Sequence, residues 1–168
     1  EPGDHVGVQP DCDGPLDGTI EPTALGATPI FDLRDIQRVD LRTGKVETLY
    51  TKCGDVPLRG PNDLVFDASG GFWFTDLGKM RKRDRDRTGI FYATPDGKSI
   101  REMAFPVDGG PNGIGLSPAG DRVYVAETYT GRVWYWELSG PGEIRRNPLS
   151  ANGGHLLADL HEGEALDS

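Results

Sequence analysis

From Asp35 onward, apolar and polar residues alternate in short runs separated by turn residues. Phe72-Trp73-Phe74-Thr75-Asp76 and Arg122-Val123-Tyr124-Val125-Ala126-Glu127 are rich in aromatic and β-branched side chains. Each is preceded by another apolar run, across Asp67-Ala68-Ser69-Gly70-Gly71 in one case and Ser117-Pro118-Ala119-Gly120-Asp121 in the other. Strand formers on both sides of a Gly-containing turn predict β-hairpins.

The hairpins repeat. Pro61-Asn62-Asp63-Leu64-Val65-Phe66 is echoed by Pro111-Asn112-Gly113-Ile114-Gly115-Leu116, with Asn112 following Asn62 by 50 residues. A second unit follows each hairpin. Thr88-Gly89-Ile90-Phe91-Tyr92-Ala93 turns at Pro95-Asp96-Gly97, and Thr130-Gly131-Arg132-Val133-Trp134-Tyr135-Trp136 turns at Ser139-Gly140-Pro141-Gly142. Earlier, Asp35–Asp40 turns at Arg42-Thr43-Gly44 into Lys45–Leu49. Four antiparallel strands at a period of about 40–50 residues predict an all-β fold built of propeller blades. A two-sheet sandwich or a short β-solenoid would give evenly spaced strands, but not the same Pro-Asn start in successive hairpins.

Residues 35–50 are expected to end one blade, 61–104 and 111–147 to form two more, and 155–168 to begin another. The partial propeller thus runs over 31–168 and amounts to about three blades, fewer than the four to eight that close a ring. Residues 1–30, rich in Pro, Gly and Asp, read as an irregular loop or arm.

Composition narrows the partners. With 18 Lys+Arg against 27 Asp+Glu, the net charge of −9 repels phosphate backbones and anionic lipid, so neither nucleic acid nor a membrane is an expected partner. An acidic surface fits a cation or a neutral, sugar-like substrate. No long apolar run or heptad appears. Cys12 and Cys53 lack CxxC spacing and read as free thiols of a reducing compartment. With no signal peptide over Glu1–Pro10, a cytoplasmic location is expected, with a periplasmic or secreted one as the alternative.

Asn62 and Asn112 take the same place in successive blades, immediately before an innermost strand. Innermost strands line the channel of a propeller, so the two side chains are expected to converge at its mouth. Amide oxygens are hard, neutral ligands suited to Ca²⁺ or Mg²⁺ when joined by carboxylates. Asp167 follows the run His155–Leu160 and is expected at the equivalent point of the next blade, where it would add charge. A lone Asn after Pro is a turn former; two at one blade position, followed by an acid, point to a site.

Arg59-Gly60-Pro61-Asn62-Asp63-Leu64-Val65-Phe66-Asp67, with Gly70-Gly71-Phe72-Trp73-Phe74-Thr75-Asp76, closely resembles the gluconolactonase/regucalcin (senescence marker protein) family of six-bladed propellers. Pro111–Pro118 with Tyr124-Val125-Ala126-Glu127-Thr128 resembles that family's next-blade motif, and the likeness covers about residues 35–168. It implies a divalent metal, usually Ca²⁺ with Zn²⁺, Mg²⁺ or Mn²⁺ as alternatives. It further implies that Asn62 binds metal or substrate, that Asn112 is a metal ligand, and that Asp167 is both ligand and general base. Arg59 resembles the substrate-contacting Arg, although Gly60-Pro61 separates it from Asn62, and Asp63 is a nearby acid expected to contribute to substrate binding. The family takes a further Glu ligand from its first blade, and neither Glu1 nor Glu21 sits in a matching strand.

The implied activity is hydrolysis of a small sugar-type lactone. The alternatives are a non-catalytic propeller segment or binding scaffold, and an organophosphate-hydrolase-like or strictosidine-synthase-like propeller. The missing blades of a longer chain would then be a structural partner. His5, His155 and His161 read as structural or solvated, the basic run Lys79–Arg87 as a surface loop, and Trp73, Trp134 and Trp136 as packing between blades.

Overall fold

A computed structural model describes residues 34–160 and 166, together with the backbone of residues 5–7. The strands are β1 (His5–Gly7), β2 (Ile36–Val39), β3 (Val46–Tyr50), β4 (Lys52–Cys53), β5 (Val56–Pro57), β6 (Pro61–Phe66) and β7 (Phe72–Asp76). They continue as β8 (Ile90–Ala93), β9 (Ile100–Ala104), β10 (Pro111–Leu116), β11 (Arg122–Glu127), β12 (Arg132–Gly140), β13 (Glu143–Arg145) and β14 (His155–Asp159). All named pairings are antiparallel. No helix long and apolar enough to cross a membrane occurs among the described residues.

One blade is the meander β6-β7-β8-β9 and the next is β10-β11-β12-β13, with β14 also on β12. The turns follow from sequence. Asp67 Oδ1 accepts from Ser69 N at 2.8 Å, and Gly70 closes the turn at φ 86°. Gly120 does the same for the next hairpin at φ 67°, a region that L side chains rarely enter.

Alternation along β7 sends side chains to two sides, and both are covered. Phe72 and Phe74 join Ile36, Tyr50, Leu58, Phe91 and Ala93 in a core shared with the β2–β3 sheet. Trp73 faces the other way, into a second core with Tyr92 of its own blade and Val123, Val125 and Trp136 of the following one. Trp73 and Trp136 are therefore packing between blades, as their sequence context implies, and Trp134 lies half-buried against the same core.

Two expectations are corrected. Residues 155–168 do not open with the first strand of a new sheet, because β14 pairs with the N-terminal half of β12: Arg132 faces Asp159 and Tyr135 faces His155. The reason is geometric. β12 is nine residues long and β13 covers only its far end, from Glu137 to Gly140, which leaves an open edge that β14 fills. The second blade thus extends to Asp159, and its outer strand is made in two pieces. Nor is the N-terminal arm irregular throughout, since β1 adds a third strand to β2 and satisfies an otherwise open edge.

The basic segment forms an ion-paired loop, with Arg81 held by Asp84 and Asp86 and Arg87 bidentate on Asp108. Cys53 is a free, half-buried thiol.

Candidate functional site

The two asparagines sit at bulges. In the β6–β7 pair the register runs Pro61↔Asp76 and then shifts before Leu64↔Phe74. In β10–β11 it runs Pro111↔Glu127 and shifts before Ile114↔Val125. Asn62 and Asn112 fall inside these shifts, and a bulge frees a residue from the ladder and re-aims its side chain. Both are buried, at 9% and 7% exposure.

What fixes each entry is a buried acid at the end of the second strand. Asp76 accepts from Arg59 N at 2.8 Å, Gly60 N at 2.7 Å and Gly78 N at 3.1 Å. Burial pushes its carboxyl above the ordinary 3.8, and the three amide donors pull against that shift. Glu127, at the equivalent register position, accepts from Gly109 N at 3.1 Å and from the Thr130 hydroxyl. Each blade therefore clasps the segment that leads into its Pro-Asn start.

The blades are then stitched to each other. Asp63 accepts from Leu64 N at 2.8 Å with one carboxylate oxygen and from Ile114 N, in the next blade, at 3.0 Å with the other. The Thr75 hydroxyl accepts from Asp63 N at 3.2 Å and donates to the Asn112 carbonyl at 2.6 Å. These bonds set β6 and β10 side by side, so the strands that carry Asn62 and Asn112 are neighbours.

At Asn112 the amide is half satisfied. Nδ2 donates to Thr128 Oγ1 at 2.9 Å, and Thr128 Oγ1 donates onward to the Leu166 carbonyl at 2.8 Å. Oδ1 is buried with no hydrogen-bond partner among the described residues. A bare acceptor in a buried place is costly unless a donor or a cation meets it.

Of the residues singled out from sequence, Asn62 and Asn112 lie on β6 and β10, neighbouring strands of successive blades. Arg59 lies on the loop before Pro61 with an exposed side chain, held through its main-chain amide. Asp63 commits both carboxylate oxygens to main-chain amides, which makes it a strap between blades. Asp167 lies outside the described residues, as do His161 and Cys12. No group of three or more His, Cys, Asp or Glu side chains is arranged to hold a metal among the described residues. A cavity of about 430 Å³ runs along β10 and β11, lined by Asp63, Gly113, Ile114, Tyr124 and Val133. Neither asparagine lines it, although Asp63 and Gly113, the residues that follow them, do.

Sequence reasoning missed Thr75, Asp76, Glu127 and Thr128. A signal was present: each hairpin's second strand ends in an acid next to a threonine, Thr75-Asp76 and Glu127-Thr128, within otherwise apolar runs.

Similarity to known proteins agrees with the fold. The family described as SMP-30/Gluconolactonase/LRE-like region matches residues 18–163. Diisopropyl-fluorophosphatase from Loligo vulgaris is 32% identical over 120 residues, covering 64% of this chain and 36% of its own. Gluconolactonase from Zymomonas mobilis is 28% identical over 149 residues, covering 80% and 41%. A solved gluconolactonase from Xanthomonas campestris superposes with a TM-score of 0.55 at 26% identity, covering 67% and 40%. The chain thus spans between 36% and 41% of the length of these relatives. With its repeated Pro-Asn blades and a match over most of its length, the chain belongs to the SMP-30/gluconolactonase/LRE-like family of propellers.

Proposed function

We propose that this chain forms part of a hydrolase of sugar-type lactones that depends on a divalent cation, Ca²⁺ before Zn²⁺, Mg²⁺ or Mn²⁺. The observation that carries the reading is the buried, unpartnered Oδ1 of Asn112. It is a hard, neutral oxygen of the kind that Ca²⁺ sites use. Asn62, buried on the adjacent strand, is the second amide ligand, and Asp167 supplies the carboxylate. The lactonase and gluconolactonase names of the relatives support the substrate class.

When bound, the cation polarises the lactone carbonyl as a Lewis acid. This chain's residues do the rest. Asp167 takes a proton from water, whose oxygen adds to the carbonyl carbon. The ring C–O bond then breaks as Asp167 returns that proton to the ring oxygen, which leaves as the hydroxyl of a hydroxy acid and restores the carboxylate. The exposed Arg59, anchored by its main chain to Asp76, orients the sugar hydroxyls.

In the full-length protein, lactone turnover should rise with added Ca²⁺, and Asn112→Ala or Asp167→Ala should lower it by at least about 100-fold. Near wild-type turnover in both variants overturns the reading. A second reading, organophosphate hydrolysis, is favoured by the likeness to the Loligo vulgaris enzyme. Comparing kcat/KM for gluconolactone and diisopropyl fluorophosphate separates the two.

A further inference from the structure

We propose that Thr128 is a positioning residue that locks the amide of Asn112 in one orientation, so that Oδ1 and not Nδ2 is the atom left bare for a cation. The inference rests on reading Asn112 as a ligand, and it follows from proton counting along three groups. The Leu166 carbonyl can only accept, so the single hydroxyl proton of Thr128 is committed to it across 2.8 Å. That leaves only lone pairs on Thr128 Oγ1 to meet Asn112 at 2.9 Å, and a donor must answer them. In an asparagine the donor is Nδ2. Flipping the amide would set Oδ1 against Oγ1, and would either strip Leu166 of its bond or place two acceptors in contact.

The main chain of Asn112 has no comparable freedom. It sits in the bulge of β10, and Thr75 Oγ1 holds its carbonyl at 2.6 Å. With the backbone fixed, the 180° amide flip is the remaining choice between a ligand oxygen and a useless NH₂, and Thr128 makes it. The same hydroxyl grips the residue immediately before Asp167. One side chain thus ties the amide of Asn112 to the Leu166 carbonyl.

The test uses the full-length protein as wild type, Thr128→Val, which keeps the shape without the hydroxyl, and Thr128→Ser, which restores it. In the metal-free protein, the Asn112 side-chain NH₂ resonance, assigned by its loss in Asn112→Ala, should be protected from solvent exchange. Protection should vanish in the Val variant and return in the Ser variant. Ca²⁺ affinity by calorimetry should fall about 10–100-fold in Thr128→Val and stay within about 3-fold of wild type in Thr128→Ser. An unprotected Asn112 amide in the wild type overturns the inference without reference to any variant's folding, and so does a Val variant with unchanged amide protection and affinity. If Asn112→Ala binds Ca²⁺ like the wild type, the ligand reading of Asn112 fails. The amide resonance then still decides whether Thr128 orients it.

Discussion

The carboxylate of Asp76 is surrounded by backbone amides instead of water, and two opposed effects act on it. Desolvation raises its pKa above the ordinary 3.8, while the amides of Arg59, Gly60 and Gly78 favour the charged form. Because the net direction is upward, the folded state holds this proton more tightly than the unfolded chain. The group's stabilising contribution is complete below pH 3.8 and is lost as pH rises through the higher folded value. Asp76→Asn removes that pH-dependent loss but keeps one acceptor oxygen. Asp76→Ala leaves buried amides unpaired, at about 1–3 kcal/mol each. Urea unfolding between about pH 4 and 7 should therefore show a decline in the wild type that is absent in both variants, with Ala the least stable throughout. Parallel profiles for all three proteins would refute the assignment. Asn62 and Asn112 were legible in sequence because the Pro-Asn pair recurs at a fixed blade position. Asp76 and Glu127 show in sequence only as an acid beside a threonine at each strand end; their clasp on main-chain amides 16 to 18 residues away does not show, because no side-chain motif records such partners.

At the level of strands, the hairpins were legible because alternation, turn glycines and β-branched runs all point the same way. The bulges that hold the asparagines were hidden, since a register shift leaves the alternation of its neighbours intact. The split outer strand was hidden for another reason. Leu156-Leu157 carries the same apolar signature whether it opens a new sheet or closes an old one, and only the free edge of β12 decides. Trp136 ties these elements together. Its ring is fully buried between blades, and its Nε1 donates at 3.1 Å to the carbonyl of Asn152, on the loop leading to β14. Trp136→Ala should thus destabilise by about 3–5 kcal/mol and speed amide exchange in β14 more than in β8. A loss below about 1 kcal/mol, or exchange that rises equally in both strands, would show that the ring does not carry that link.

At the scale of the molecule, and among the described residues, the blade of β6–β9 is covered on both faces, whereas the blade that ends with β14 is covered on one. Val123 and Val125 are buried against the preceding blade, while Tyr124 and Ala126, pointing the other way, are only half-buried. Leu156, Leu157 and Leu160 stand 49%, 55% and 49% exposed. Leu156 lies opposite Trp134, on the side of the inter-blade core, so both the half-open face and this outer strand present apolar surface that seeks cover. Opposing it is the net charge of −9, which holds like molecules apart. Charge repulsion is screened beyond about 10 Å at 0.1 M salt, but contact between apolar surfaces is not, so salt decides which effect wins. As a stand-alone polypeptide of 168 residues, the chain should self-associate, with an average mass in light scattering that rises with concentration and rises further between about 20 mM and 200 mM salt. Leu157→Asp with Leu160→Asp should lower that mass by adding charge at exposed apolar positions on and just after the outer strand. On the proposed ligand set, the same chain should turn over lactones poorly at any Ca²⁺ level below millimolar, because two amides and one carboxylate would give a weak site. A monodisperse monomer at both salt concentrations, active at micromolar Ca²⁺, would mean that the open blade face is not a contact surface and that the described residues hold a fuller site than the asparagine pair.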